Sequence, residues 1–242
     1  MSRKIKQYLL DVLEGAGIQI NVIRALYYRE LLTRVSKSNF GIIGLYIEPL
    51  AGIAILLFIF GIRRGFSPVL GVDLFLFLGC GIIIYNIFRS ICIRSLASIQ
   101  ANKALFTYKR VKAIDTIIAR TIVEFFSLGT IYVFFILGYS IIKETWYVSD
   151  LPLILFSYIC ISLISLGLGL IVMISGYRYP VMQSILPIVL RPLYFCSGVF
   201  FSLQNLPQWL KPWLSWNPIL QAIELSRKGL SKTFILDPLI SI

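Results

Sequence analysis

The chain has 242 residues, of which 58% are hydrophobic and only 14% are charged, and its mean hydropathy is +0.85. Soluble globular domains carry roughly 25% charged residues, so this composition excludes that class and predicts a protein whose outer surface faces lipid. The net charge of +12, with no histidine, suits nucleic acid, anionic lipid or an acidic substrate, and the positions of the basic residues must decide among these partners.

The first predicted element is a helix over residues 18–36. Its apolar residues recur on roughly one side, although Glu30 and Arg34 interrupt the pattern. These two residues are four apart in the order that favours an ion pair. A helix of this kind is expected to lie in the membrane interface, with its cationic side chains among the lipid headgroups.

Five windows that follow are long and apolar enough to cross hydrocarbon as helices, which takes roughly 20 residues. They are residues 40–62, 74–93, 120–142, 151–175 and 182–201. The fold predicted for the chain is therefore an all-α integral membrane protein that forms a single transmembrane domain over residues 1–242.

Residues 204–232, after the fifth window, contain three prolines and three tryptophans. Prolines this frequent prevent one continuous helix, and tryptophan favours the boundary between membrane and water. We therefore predict a re-entrant or interfacial segment that dips into the outer leaflet.

The basic residues are distributed unevenly between the two sides of the predicted membrane domain. Fifteen Lys and Arg residues lie before the first span or around the connections between spans on that same side, against three in the connections between spans on the other side. Because positive residues collect in cytoplasmic loops, this count places the N-terminus in the cytoplasm. The positive charge is mainly a topology signal, and no nucleic-acid partner is expected.

The sequence offers little for catalysis. It contains no histidine, no G-x-S-x-G motif and no phosphate-binding G-x-x-x-x-G-K-[ST] loop. Its four cysteines all lie in apolar stretches without C-x-x-C spacing, which predicts structural thiols and no metal site. We expect neither an enzyme nor a bound cofactor.

A few polar side chains fall at membrane depth, where they need a partner or water. Glu48 and Arg191 are expected either to border a polar translocation path or to form a structural pair that fixes packing. Arg120 and Glu124, one helical turn apart, are expected to pair at the interface. Tyrosines such as Tyr85 and Tyr194 suit either stacking on sugar rings along a path or ordinary packing.

Several segments resemble one known family in the family's own order. The stretch IQANKALFTYKRVKAIDTIIAR (residues 99–120) is similar to the cytoplasmic loop and third-helix start of capsular-polysaccharide exporter permeases of the type-2 ATP-binding-cassette class. SILPIVLRPLYF (184–195) resembles their fifth helix, and WNPILQAIELSR (216–227) the segment before their last helix. Glu48-Pro49 and the residues that lead into it match as well, so the resemblance covers most of the chain.

The resemblance implies a multi-pass protein of the bacterial inner membrane. It implies a homodimer of subunits with six spans each, two copies of a separate ATPase that binds the ATP, and envelope-spanning export proteins as further partners beside membrane lipid. By position it assigns contact with the ATPase to Arg24, Arg29, Arg34, Asn102, Tyr108, Lys109 and Arg110.

The substrate implied by the resemblance is a long, often acidic, lipid-linked polysaccharide. An acidic glycan would give Arg89 and Arg191 a task as positive groups in a hydrated path. The substrate path is accordingly predicted at Glu48, Tyr85, Arg89, Arg191 and Tyr194.

One departure from the family pattern concerns the sixth helix. Only ten residues follow Lys232, too few to cross, so we expect the sixth span to be missing. Alternatives that stay open are an exporter of O-antigen, teichoic acid or another lipid-linked glycan, a truncated inactive copy, and a membrane-embedded glycosyl- or acyltransferase. The absence of histidine counts against the transferase.

Overall fold

A computed structural model describes residues 3–37, 46, 50–55, 58–59 and 69–240. Within these ranges the regular structure is helical, apart from one isolated bridge between Val69 and Val72. The predicted first span, residues 40–62, lies largely outside the described residues.

Helix α1 (Arg3–Lys37) has 35 residues and is therefore roughly 52 Å long at 1.5 Å per residue. It begins well before residue 18, where the interface helix was predicted to start. Among its described residues Leu26 is the buried apolar one, at 8% exposure, and the helix packs along the N-terminal half of α4. We call the end of the helix bundle where α1 lies the α1 end.

Three described helices are long and apolar enough to cross a membrane: α2 (Leu74–Leu96), α4 (Ala113–Lys143) and α5 (Leu151–Arg178). Between α2 and α4 lie the single turn α3 (Ser98–Ala101) and a short 3-10 helix. Helix α2 is central, since 17 of its 23 residues are buried. Helices α4 and α5 flank it and keep large apolar side chains exposed, as lipid-facing helices do.

Small residues let α5 approach α2 closely. A Cβ atom at Gly176 would come within 2.7 Å of the carbonyl oxygen of Leu96, and one at Gly169 would come within 2.8 Å of Ser95 Oγ. Close backbone approach of this kind is how helices associate in lipid, where burial of apolar surface supplies no driving force.

The predicted fifth span is shorter in the structure than in the sequence interpretation. Helix α6 (Met182–Cys196) has 15 residues and continues through Pro187 and Pro192. At roughly 22 Å it falls short of the ~30 Å of hydrocarbon. The chain then turns at Gly198, which has a φ of +76°.

The segment after α6 returns into the protein. Helix α7 (Lys211–Ser215) is a short turn, and α8 (Pro218–Leu230) packs between α2 and α5 with ten of its 13 residues buried. The carbonyl of Gly229 accepts the backbone N–H groups of Ser149 and Asp150 at 2.9 Å each. This contact places the end of α8 beside the loop between α4 and α5, at the end of the bundle opposite α1.

Candidate functional site

The largest cluster of charges in the described structure joins α1 to α2 and α4. We call it the α1 junction, and it consists of Glu30, Arg34, Arg94, Arg120 and Glu124. The Glu124 carboxylate is shared, with its Oε1 2.8 Å from Arg34 Nη2 and 2.6 Å from Arg94 Nε. Glu30 lies 3.5 Å from Arg34 and 3.3 Å from Arg120.

The α1 junction is shielded from solvent on the α1 side. The side chains of Arg34 and Glu124 are 8% and 5% exposed, whereas that of Arg94 is 43% exposed. Burial lowers the pKa of Arg34, and the neighbouring Glu124 and Glu30 carboxylates oppose that effect. Because a guanidinium stays charged at any ordinary pH, Arg34 contributes a permanent positive charge to the junction.

The sequence interpretation paired Arg120 with Glu124, and the structure pairs each of them elsewhere. Arg120 contacts Glu30 and also donates to the backbone carbonyl of Arg94, while Glu124 contacts Arg34 and Arg94. The predicted Glu30–Arg34 pair is present, at 3.5 Å.

A second set of contacts attaches α1 to the loop after α2. Arg29 Nη1 donates to Asn102 Oδ1 at 2.6 Å, and Asn102 Nδ2 donates to the carbonyl of Ser98 at 2.8 Å. Closer to the start of α1, Gln19 donates to the Asp115 carboxylate. Two residues predicted to contact the ATPase, Arg29 and Asn102, are thus brought together although 73 positions separate them.

The other predicted contact residues divide into exposed and buried groups. Arg24, Tyr108, Lys109 and Arg110 are exposed at the α1 end, with Tyr108 at 66%. Among the described residues none of the three cations forms an ion pair. Arg34 differs from them, because its guanidinium is held inside the α1 junction.

Of the predicted path residues, Tyr85 and Tyr194 lie together. Their ring centroids are 4.8 Å apart in an edge-to-face arrangement, and the Tyr85 hydroxyl donates to the carbonyl of Leu190. These contacts join α2 to α6. Glu48, the remaining acidic path residue, lies outside the described residues.

The two predicted path arginines, Arg89 on α2 and Arg191 on α6, are exposed. They lie roughly 10 and 13 Å along their helices from the α1 end, counted at 1.5 Å per residue. Neither forms an ion pair with another described residue. A guanidinium at that depth requires an anion or water, because lipid does not solvate it.

The sequence interpretation missed a fully buried ion pair on α8. Arg227 and Glu224 are both 0% exposed, with Arg227 Nη1 3.0 Å from Glu224 Oε1. The Arg227 guanidinium also donates to the carbonyls of Phe77, Val199 and Phe201 at 2.9–3.3 Å. Ser202 Oγ donates to the other Glu224 oxygen at 2.9 Å.

This pair, which we call the Arg227 clamp, satisfies backbone carbonyls where the chain leaves α6. Non-helical backbone at membrane depth is tolerated only when its polar groups find partners inside the protein. The available sequence signal was an acid and a base three residues apart, a spacing at which side chains on a helix can pair. Within the described ranges, no group of three or more metal-ligating side chains lies close enough together to hold a metal ion.

Comparison with known proteins agrees with this architecture. The profile of the ABC-2 type transporter family matches residues 21–230. The chain is 36% identical over 224 residues to the polysialic acid transport protein KpsM of Escherichia coli, covering 92% of this chain and 86% of that protein. It is 28% identical over 220 residues to the capsule polysaccharide export inner-membrane protein CtrC of Neisseria meningitidis, covering 90% of this chain and 82% of that protein.

A third relative is the capsule polysaccharide export inner-membrane protein BexB of Haemophilus influenzae. It is 28% identical over 221 residues, which cover 89% of this chain and 81% of that protein. The family match spans most of the chain, including α1 from residue 21 onwards, the three spanning helices and α8. The chain therefore belongs to the ABC-2 type transporter family.

Proposed function

We propose that this chain is the membrane-spanning subunit of an ATP-driven exporter that moves a lipid-linked capsular polysaccharide across the inner membrane. The observation that carries the proposal is the 36% identity to a polysialic acid transport protein over 92% of the chain. The named capsule export relatives from two further organisms support the same cargo class.

The proposed assembly is a homodimer with two copies of a separate ATPase, joined by envelope-spanning export proteins. The N-terminus and the α1 end face the cytoplasm, in line with the excess of basic residues in loops on that side. The exposed cations Arg24, Lys109 and Arg110, beside Tyr108, form the surface to which the ATPase docks.

In the proposed mechanism, ATP binding closes the ATPase pair and displaces α1 together with the loop after α2. The ion pairs of the α1 junction pass this displacement to α2 and α4. The conformational equilibrium shifts only as far as the contacts differ between the nucleotide states. Arg89 and Arg191 supply positive charge to a hydrated path for an acidic polymer.

Deletion of the gene in its native host tests the cargo. We expect surface capsule to disappear, polymer to accumulate inside the cell, and lipopolysaccharide to stay unchanged, with recovery on re-expression. Loss of O-antigen or of teichoic acid with intact capsule would reassign the cargo within the same class. Intact glycans of all these kinds would identify an inactive copy.

Co-purification of the ATPase tests the docking surface. Replacing Arg24 and Arg110 by glutamate reverses two exposed charges, and we expect the retained ATPase to fall at least tenfold. Lys143→Glu is the matched control, since Lys143 is exposed at the opposite end of α4. Equal retention in both variants would refute the assignment.

A further inference from the structure

We propose that the crevice between α4 and α5 binds an anionic phospholipid. The acyl chain lies between the two helices, and the phosphate is held by Lys109, Arg110 and Lys112. This site is separate from the glycan path and does not depend on the proposed cargo. Lys109 and Arg110 also belong to the proposed ATPase surface, so the lipid is expected on the chain that is free of its ATPase.

The crevice has the shape and position of a lipid site. It has a volume of about 270 Å³ and is lined by five residues of α4 between Ile118 and Phe126 and four of α5 between Ile159 and Leu166. Phe126 and Leu163 at its edges are 59% and 62% exposed, so the crevice opens to the surface that faces lipid.

Only apolar atoms are exposed inside the crevice. Ser162 is the one lining residue whose hydroxyl has a partner, and it donates to the carbonyl of Tyr158 at 2.8 Å. Thr121 is 6% exposed and its Oγ1 is buried. A hydrocarbon chain fits such a lining, whereas a sugar or a polar headgroup would lose its hydrogen bonds there.

The length of the crevice matches one leaflet. Eight residues separate Ile118 from Phe126, which corresponds to roughly 12 Å of helix, close to the ~15 Å of hydrocarbon in half a bilayer. Ile114, which is 51% exposed, extends the apolar surface by one more turn towards the start of α4. An acyl chain that follows α4 therefore has its headgroup at the loop before Ala113.

That loop carries positive charge with no partner of its own. Lys109, Arg110 and Lys112 are all exposed, and none pairs with an acid among the described residues. Each cation near a membrane surface attracts anionic lipid by about 1 kcal/mol. The combination of an apolar crevice with a cationic mouth selects a phospholipid with net negative charge over a zwitterionic one.

Native mass spectrometry of the purified full chain tests the site with phosphatidylglycerol and phosphatidylethanolamine as probes. We expect roughly a hundredfold tighter binding of phosphatidylglycerol, because each of the three cations contributes to the preference. The variant with Lys109, Arg110 and Lys112 replaced by glutamine should lose that preference. Ile122→Trp, which fills the crevice, should weaken both lipids, whereas Val133→Trp, on an exposed part of the same helix, should weaken neither.

Circular dichroism and gel filtration establish that each variant is folded before its lipid affinity is compared. Equal binding of the two lipids by the unmodified chain would overturn the role of the cations. Unchanged binding in Ile122→Trp would overturn the crevice as the acyl site.

Discussion

Replacing Arg227 by methionine should strongly destabilise the protein, because Arg227 makes the densest set of polar contacts in the described structure. The substitution keeps a long apolar side chain and removes the charge. Glu224 would remain fully buried beside it without its counter-ion. The carbonyls of Val199 and Phe201, where the chain leaves α6, would lose donors at 2.9 and 3.0 Å.

The magnitude follows from the burial of both partners. Breaking a buried ion pair by removing one member costs about 3–5 kcal/mol, because the other charge is left uncompensated. For a domain of this size, 1 kcal/mol corresponds to roughly 2–4 °C in the unfolding midpoint. We therefore expect Arg227→Met to lower the midpoint by about 6–20 °C. The double variant Arg227→Met/Glu224→Leu removes both charges and should recover part of the loss.

Thermal unfolding of the detergent-solubilised protein, followed by tryptophan fluorescence, measures the effect. Lys228→Met is the matched control, because it removes the same charge from the next residue, whose ammonium makes one long contact with the carbonyl of Lys232 at 3.4 Å. Its midpoint should change by no more than a surface substitution does, which is about 0.5 kcal/mol or less. If the Arg227 and Lys228 variants unfolded at the same temperature, the clamp would have no energetic role.

Three further substitutions test other parts of the fold. Glu124→Ala should weaken the attachment of α1 by about 3 kcal/mol, because it leaves Arg34 buried with one distant carboxylate. Amide hydrogen exchange in α1 should become faster. Unchanged exchange rates would contradict the role of the α1 junction in holding α1. Asp237 lies 2.7 Å from Lys211, and although burial raises its pKa, the hydrogen bonds from Lys211 and Leu239 outweigh this and lower the pKa overall. Its contribution of about 1 kcal/mol should be fully present above pH 4 and be lost as the pH falls through the depressed pKa. The loss of stability in Asp237→Asn, measured by thermal unfolding, should therefore be largest at pH 7 and shrink as the pH falls below 4. Gly176→Val should separate α5 from α2 and lower the yield of folded protein. An unfolding midpoint equal to that of the unmodified chain would show that the two helices can move apart without loss of stability.

The spanning helices could be predicted because their signal is local. Long runs without charge mark α2, α4 and α5, and α5 begins at Leu151, where the predicted window begins. The start of α4 differs, since the helix begins at Ala113 and not at residue 120. The predicted window begins at the last cation, Arg120, whereas the Asp115 carboxylate accepts the backbone N–H of Lys112 at 2.8 Å and starts the helix earlier.

The charged contacts could not be predicted because they depend on packing between distant segments. Neighbouring positions suggested that Glu124 pairs with Arg120, but α1 brings Arg34 to Glu124 from 90 positions away. Arg227 is close in sequence to Lys228 and Lys232, and only the return of α8 between α2 and α5 buries it. The predicted ATPase and path residues remain predictions, although the structure places Arg29 beside Asn102 and Tyr85 beside Tyr194.

The burial of α2 on nearly all sides has a consequence for how this sequence can change over generations. A helix with 17 of 23 residues enclosed accepts few changes of volume, since gaps and overlaps in a close-packed interior are both unfavourable. At the exposed positions of α4 and α5, by contrast, lipid accommodates almost any apolar side chain. A saturation library selected for folded protein should therefore retain its starting residues along α2 and diversify freely at outward positions such as Phe134 and Ile171.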